Sequence, residues 1–113
     1  MNKTILVLDD DEHVLHLILR QLETAGIQAI GFRIPEPVFE WFSENGTPDL
    51  LISDVLMPEI SGPQLYKQLR TMYGDFPVIF VSGYHDVEQV DASRTLNKPF
   101  TRADLVEAIK AAL

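Results

Sequence analysis

The chain alternates between short runs of apolar residues and longer stretches in which apolar residues recur every three or four positions. The runs at 5–8, 50–53 and 78–81 are nearly continuous, which is typical of strands covered on both faces in a parallel sheet. Weaker runs at 28–32 and 94–97 predict two shorter strands. The chain is therefore expected to contain five strands.

The stretches between these runs predict amphipathic helices. Glycines at 26, 46 and 74 are placed to end the first three helices, and Pro35 and Pro37 place the start of the second near Glu36. Thr101 and Asp104 have the spacing of a capping box for the last helix. The predicted inner faces comprise Val14, Leu15, Ile18, Leu19 and Leu22; Val38, Phe39, Trp41 and Phe42; Leu65, Leu69 and Met72; and Leu105, Ala108, Ile109 and Ala112.

The interval from Ser82 to Lys98 breaks this rhythm. It has room for a loop and the short fifth strand but hardly for a full helix, so at most a turn or two is expected near 86–90. Alternation of strands and helices otherwise predicts an α/β fold, a doubly wound parallel sheet with helices on both faces. The fourth helix is expected to be short or missing.

Composition narrows the class of protein. With 113 residues, 46% of them hydrophobic, the chain is long enough for one domain, expected over residues 1–113. A formal charge of -8 disfavours direct binding to nucleic acid or to anionic membranes. The absence of cysteine excludes disulfides and thiol chemistry. No apolar run could serve as a signal peptide or span a bilayer, so we expect a soluble, cytoplasmic protein.

The residues that follow the strands carry the candidate chemistry. In a parallel sheet the carboxyl ends of the strands share one edge, where Asp9, Asp10, Asp54, Ser82 and Lys98 would meet. Three carboxylates repel one another unless a cation lies between them, and oxygen ligands without cysteine favour Mg2+. A carboxylate can attack phosphorus to give an aspartyl phosphate, with the metal and a lysine offsetting charge on the phosphoryl oxygens.

These residues lie in four motifs that resemble those of the receiver domain of bacterial two-component response regulators. The motifs are ILVLDDD at 5–11, SDVLMP at 53–58 with Gly62, VSG at 81–83 and KPF at 98–100. Each is weak alone, but the four occur in the correct order along essentially the whole chain. The resemblance implies a flavodoxin-like fold with five parallel strands in the order 2-1-3-4-5.

The resemblance also implies a role for each site residue. Asp54 would be the phosphoacceptor, and Mg2+ would be held by Asp9, Asp10, Asp54 and the backbone carbonyl of Leu56. Ser82 would engage the phosphoryl group, and Lys98 would be the lysine typical of the family, followed by a peptide bond that is usually cis. The implied phosphodonor is a histidine kinase or a histidine phosphotransfer domain, and the implied output is a switched interaction with a downstream partner.

Two features depart from the family pattern. The interval between Ser82 and Lys98 is several residues short, and Thr95 occupies the position where a switch aromatic is usual. The usual coupling between hydroxyl and aromatic residue is therefore in question. Shortened receivers with Ser-Gly-Pro and Ser-Gly-Tyr motifs, here at 61–63 and 82–84, resemble those attached to hybrid histidine kinases.

Other interpretations are open at this point. The Asp-x-Asp form of 9–11 also resembles haloacid-dehalogenase-type phosphatases, in which Asp9 would be the nucleophile, although His13 replaces the usual threonine. A receiver-like interaction module that is never phosphorylated is a second alternative. Asp11 is expected to cap a helix. His13 and His16 have a spacing that could bind zinc, but no third ligand is evident nearby, so surface positions are expected.

Overall fold

The computed structural model describes residues 3–83 and 95–113, which form an α/β domain. The strands have the bounds β1 Ile5–Leu8, β2 Ala29–Phe32, β3 Leu50–Asp54, β4 Val78–Ser82 and β5 Thr95–Asn97. The helices have the bounds α1 Glu12–Thr24, α2 Pro35–Asn45, α3 Gly62–Tyr73 and α4 Arg102–Ala112.

The five strands form one parallel sheet in the order β2-β1-β3-β4-β5, as predicted. The order reverses between β1 and β3, which lie side by side although α1, β2 and α2 separate them in the chain. Leu8 at the end of β1 pairs with Ser53, so Asp9 and Asp54 come next on neighbouring strands. This reversal is the point at which open α/β sheets form their ligand sites.

Helices cover both faces of the sheet. One core lies under α1 and α4, and the other lies under α2 and α3. β1, β3 and β4 are buried along their whole length, which is why their sequences read as unbroken apolar runs. The edge strand β2 is half-exposed, in agreement with its weaker sequence pattern.

Local side-chain hydrogen bonds begin three of the helices. Asp11 caps α1 by accepting hydrogen bonds from the amides of His13 at 2.9 Å and Val14 at 3.3 Å. The predicted capping box of Thr101 and Asp104 is present at α4, and Ser61 forms another with Gln64 at α3. Helix α2 begins at Pro35, one residue before the predicted start.

The prediction that Met72 faces the core is wrong, because Met72 is 60% exposed. The aromatic rings of Tyr73 and Phe76 lie 5.5 Å and 5.1 Å from the ring of Phe42, measured between centroids. At the last turn of α3 and just after it, these two aromatic residues belong to the core under α2 and α3, and Met72 does not.

The expected turn near 86–90 and the first residue of the predicted fifth strand, Arg94, lie outside the described residues. Across the part of the chain that is described, no helix has the length and apolar character needed to cross a bilayer.

Candidate functional site

Three carboxylates meet at the reversal of strand order. Asp9 and Asp10 follow β1, and Asp54 ends β3. Each offers one oxygen such that these three atoms all lie within 4.8 Å of one another. Asp9 is 0% exposed and Asp54 7% exposed, whereas Asp10 is half-buried. The edge of the sheet therefore holds two nearly dehydrated acids beside a third.

One carboxylate oxygen of Asp54 has two partners. Its Oδ1 accepts a hydrogen bond from the backbone amide of Val55 at 3.0 Å and lies 3.5 Å from Nζ of Lys98. The amide of Lys98 donates to the carbonyl of Ser82 at 2.8 Å, so the lysine is tied to the end of β4. A residue 44 positions away in the chain is thus directed at the Asp54 carboxylate.

Asp9 is only partly satisfied. Its Oδ1 accepts a hydrogen bond from the amide of Asp11 at 2.9 Å. Its Oδ2 is buried and has no hydrogen-bond partner within residues 3–83 and 95–113. A buried oxygen of this kind costs free energy unless something else engages it.

The burial of these acids changes their titration. Desolvation, reinforced by the nearby charge of Asp9 and only partly offset by Lys98, raises the pKa of Asp54 to about 6. Desolvation likewise raises the pKa of Asp9, against the opposing hydrogen bond from Asp11 and the charge of Lys98. In both residues, burial disfavours the charged form of the carboxyl group more than Lys98 favours it.

The unpaired oxygen of Asp9, the cluster of carboxylates and the raised pKa values fit a hard divalent cation bound by oxygen. Mg2+ accepts a few carboxylates together with water. Leu56, whose backbone carbonyl is the fourth predicted ligand, lies two residues after Asp54 in the loop to α3, and its side chain is solvent-exposed.

Ser82 and Thr95 occupy neighbouring strands near this edge. Ser82 is fully buried, and its hydroxyl donates to the carbonyl of Gly83 at 3.1 Å. It pairs with Asn97, while Thr95 pairs with Phe80 two residues further from the site. Thr95 is half-buried, and the peptide bond between Lys98 and Pro99 is cis.

The two histidines of α1 lie outside the carboxylate cluster. His13 and His16 are exposed on the surface of the helix. Among the described side chains, the group of three or more potential metal ligands is the carboxylate cluster at positions 9, 10 and 54. The surface interpretation of these histidines agrees with this arrangement.

Sequence reasoning missed the buried support beneath Asp54. Ser53 is fully buried, and its hydroxyl donates to the Asp54 carbonyl at 3.0 Å. A Cβ added at Gly62 would collide with that same carbonyl oxygen, so only glycine allows this approach. The available signal was a serine within an otherwise apolar run.

Five parallel strands in this order, with acids and a lysine at the reversal, define the class of receiver domains. The model of the response regulator receiver domain family matches residues 5–110. The chain therefore belongs to this family, which acts in two-component signal transduction.

Individual relatives agree with this assignment. The chain is 32% identical to the alkaline phosphatase synthesis transcriptional regulatory protein PhoP of Bacillus subtilis, over all of this chain and 49% of PhoP. It is 32% identical to the sensor kinase CckA of Brucella abortus, over 97% of this chain and 12% of CckA. The chain thus spans about half, or much less, of the length of these relatives.

Solved structures show the same fold. A response regulator receiver domain from Clostridium thermocellum superposes with a TM-score of 0.87 at 29% identity, over 97% of this chain and 93% of the other. The likeness therefore extends through both faces of the sheet and is not restricted to the motifs.

Proposed function

We propose that this domain accepts a phosphoryl group on Asp54 from a phosphohistidine of a partner protein. The observation that carries the proposal is the convergence of Asp9, Asp10 and Lys98 on the Asp54 carboxylate at the carboxyl edge of the sheet. Asp54 is the nucleophile of choice because it faces the lysine and keeps some exposure, whereas Asp9 is wholly buried.

The transfer is a substitution at phosphorus. A carboxylate oxygen of Asp54 forms the new bond to phosphorus while the bond between phosphorus and the imidazole nitrogen breaks. The imidazole takes the electron pair of that bond and leaves as a neutral ring, because its other nitrogen carries a proton when the bond breaks. No oxidant or reductant is needed. The main requirements are positioning of the reacting groups and electrostatic stabilisation of the phosphoryl oxygens.

Asp9, Asp10, Asp54 and the backbone carbonyl of Leu56 would hold Mg2+ in this proposal. When bound, the cation neutralises the clustered carboxylates and the charge that develops on phosphoryl oxygens. Asp9 and Asp10, which follow β1, would therefore hold the cation next to the nucleophile, and their own oxygens would form no bond to phosphorus.

Lys98 and Ser82 complete the site from the other side. The ammonium group of Lys98 would pair with a phosphoryl oxygen in place of Asp54 Oδ1. The hydroxyl of Ser82 would exchange the Gly83 carbonyl for a phosphoryl oxygen, which requires rotation of the side chain. Thr95 occupies the switch position. Its hydroxyl, in place of the usual aromatic ring, would respond to the movement of Ser82.

Phosphorylation would act as a signal through its charge. A phosphoryl group adds about 1.5 to 2 negative charges near neutral pH, and the end of β4 would rearrange around it. The domain assists its own phosphorylation and dephosphorylation, and turns over no external substrate as an enzyme does. A cytoplasmic histidine kinase or histidine phosphotransfer domain is the proposed donor, and a downstream effector is the proposed receiver of the signal.

The match to a sensor kinase supports a more specific setting. Part of CckA is similar to this chain, and CckA is a sensor kinase. The short interval between Ser82 and Lys98 favours the same setting, namely a receiver attached to a hybrid histidine kinase.

The decisive test is intact mass spectrometry after incubation with acetyl phosphate and Mg2+. The wild-type protein should gain the mass of one phosphoryl group, and Asp54→Ala should gain none. Lys98→Ala serves as a variant that retains the acceptor Asp54 but loses the ammonium group beside it. No mass gain in the wild type would instead support the interaction module that is never phosphorylated.

The same experiment separates the phosphatase alternative. If Asp9 were the nucleophile, Asp9→Asn would lose all labelling and Asp54→Asn would keep it. Our proposal requires the reverse, with residual labelling in Asp9→Asn. The complete burial of Asp9 and its hydrogen bond to the Asp11 amide argue against its attack on an external phosphorus.

A further inference from the structure

The hydroxyl of Ser53 is an unusual group for its position. It lies on β3 between Leu51 and Val55, which both belong to the apolar core under α2 and α3, and its residue is 0% exposed. Placing a hydroxyl in such a core costs free energy unless it makes a hydrogen bond. The bond it makes is to the carbonyl oxygen of Asp54 at 3.0 Å.

This hydrogen bond holds one end of a single peptide group. The carbonyl of Asp54 and the amide of Val55 belong to the same planar unit, so they cannot turn independently. The amide end donates to Asp54 Oδ1 at 3.0 Å and lies 3.2 Å from the carbonyl of Val81. Rotation of this plane would therefore move the group that supports the Asp54 carboxylate.

Gly62 closes the arrangement from the side of α3. Its backbone is packed against the Asp54 carbonyl so tightly that an added Cβ would collide with the oxygen and lie 3.0 Å from Ser53 Oγ. Its amide donates to the carbonyl of Val55 at 2.8 Å. The peptide is thus held between the first turn of α3 and the hydroxyl of Ser53.

We propose that Ser53 is a positioning residue, which orients the Asp54 carboxylate by fixing the peptide group between Asp54 and Val55. The hydroxyl contacts the backbone carbonyl of Asp54 and has no role as a ligand of the phosphoryl group or of the metal. It acts through the plane of one peptide, whose other end supports Oδ1. The consequence for phosphorylation rests on the proposed function of Asp54, but the effect on the peptide does not.

The test compares Ser53→Ala with Ser53→Cys, which nearly keeps the volume but weakens the donor. Leu51→Val is the matched control, because it perturbs the same face of β3 without touching the peptide. At saturating Mg2+, Ser53→Ala should slow phosphorylation by acetyl phosphate about tenfold, since small errors in the alignment of reacting groups are costly. Ser53→Cys should be intermediate, and Leu51→Val should stay within about twofold of the wild type.

A second measurement does not depend on phosphorylation. The NMR signal of the Val55 amide proton reports its hydrogen bond to Asp54 and should move upfield in both Ser53 variants but not in Leu51→Val. Suppose that the wild type is phosphorylated. The role of Ser53 is then refuted if both the phosphorylation rate and the Val55 signal are unchanged in Ser53→Ala. If the alanine variant does not fold, the same comparison is made with Ser53→Cys. If the wild type is not phosphorylated but the signal moves, the positioning role stands and the proposed function fails.

Discussion

Aspartates occur at both the amino and the carboxyl edge of the sheet, but their hydrogen bonding differs between the two. At the amino edge, Asp49 accepts a hydrogen bond from the Thr4 amide at 2.7 Å, and its own amide donates to the Thr4 carbonyl at 2.9 Å. At the carboxyl edge, Asp9 keeps a buried oxygen without a partner in the described residues, and burial raises the pKa of Asp54. One edge uses an acid to join two strands, while the other retains acids in an unfavourable setting.

This difference separates a structural carboxylate from one available for chemistry. A carboxylate that the backbone already engages has less to offer a ligand, whereas buried acids with an oxygen left over gain free energy when a cation binds. Function at such a site is linked to a loss of stability in the free domain.

Asp54→Asn should stabilise the domain at pH 8 by up to about 3 kcal/mol, because one pKa unit corresponds to about 1.4 kcal/mol. The pKa of Asp54 is raised from 3.8 to about 6, so the folded state retains a proton that the unfolded state loses between these values. Wild-type stability therefore falls as pH rises through this window. Urea unfolding at several pH values should show a gain that is full at pH 8 and shrinks below pH 6.

Mg2+ should also stabilise the wild type, by about 2.7 kcal/mol at a hundredfold excess over its Kd. Cation binding relieves the repulsion among the three carboxylates. Thermal unfolding with and without Mg2+ measures the effect, and Ca2+-free buffer with EDTA provides the reference. A shift of equal size in Asp54→Asn would contradict the assignment of Asp54 as a ligand.

Asp49→Ala should destabilise the domain by about 2 kcal/mol, because it leaves the Thr4 amide without its acceptor. The loss should be the same with and without Mg2+, since this residue lies at the opposite edge. Urea unfolding of the variant under both conditions tests this. Dependence of the loss on Mg2+ would remove the distinction between the edges.

Mg2+ affinity should weaken roughly tenfold per pH unit below about 6, because the cation must compete with the proton on Asp54. Above that value the affinity should level off. Isothermal titration calorimetry from pH 5 to pH 8 gives the dependence. A flat profile would mean that Asp54 carries no proton in the free domain near pH 5.

Lys98→Met should have the smallest effect on stability, less than about 1 kcal/mol at pH 8, because the 3.5 Å pair is partly open to solvent. The pKa of Asp54 should nevertheless rise further, since the charge of Lys98 lowers it in the wild type. Carbon-13 NMR titration of the Asp54 carboxyl group measures this directly. An unchanged pKa would show that the lysine does not interact with the acid in solution.

The central strands and the edge residues could be predicted because their causes are local. Burial on both faces makes β1 and β3 continuous apolar runs, and an acid at the end of such a run must lie at the carboxyl edge. The capping role of Asp11 was predictable for the same reason, as its partners lie within three residues.

The remaining features depend on contacts between distant parts of the chain. Thr4 and Asp49 are 45 residues apart, and nothing in either segment indicates their pairing. The peptide that Ser53 supports is also approached closely by Gly62, nine positions after Ser53, and the aromatic cluster at the end of α3 includes Phe42 of α2. Sequence periodicity does not report contacts between segments that are distant in the chain.

Adjacent positions on β1 and β3 impose a fixed separation on the two buried acids. Hydrogen-bonded strands lie about 4.7 to 4.9 Å apart, and Leu8 and Ser53 are paired just before Asp9 and Asp54. Neither acid can retreat from the other without breaking the ladder that joins the strands. The backbone itself thus sets the width of the gap that an ion must fit, and lengthening either side chain by one methylene, as in Asp9→Glu, would change that width without altering the charge.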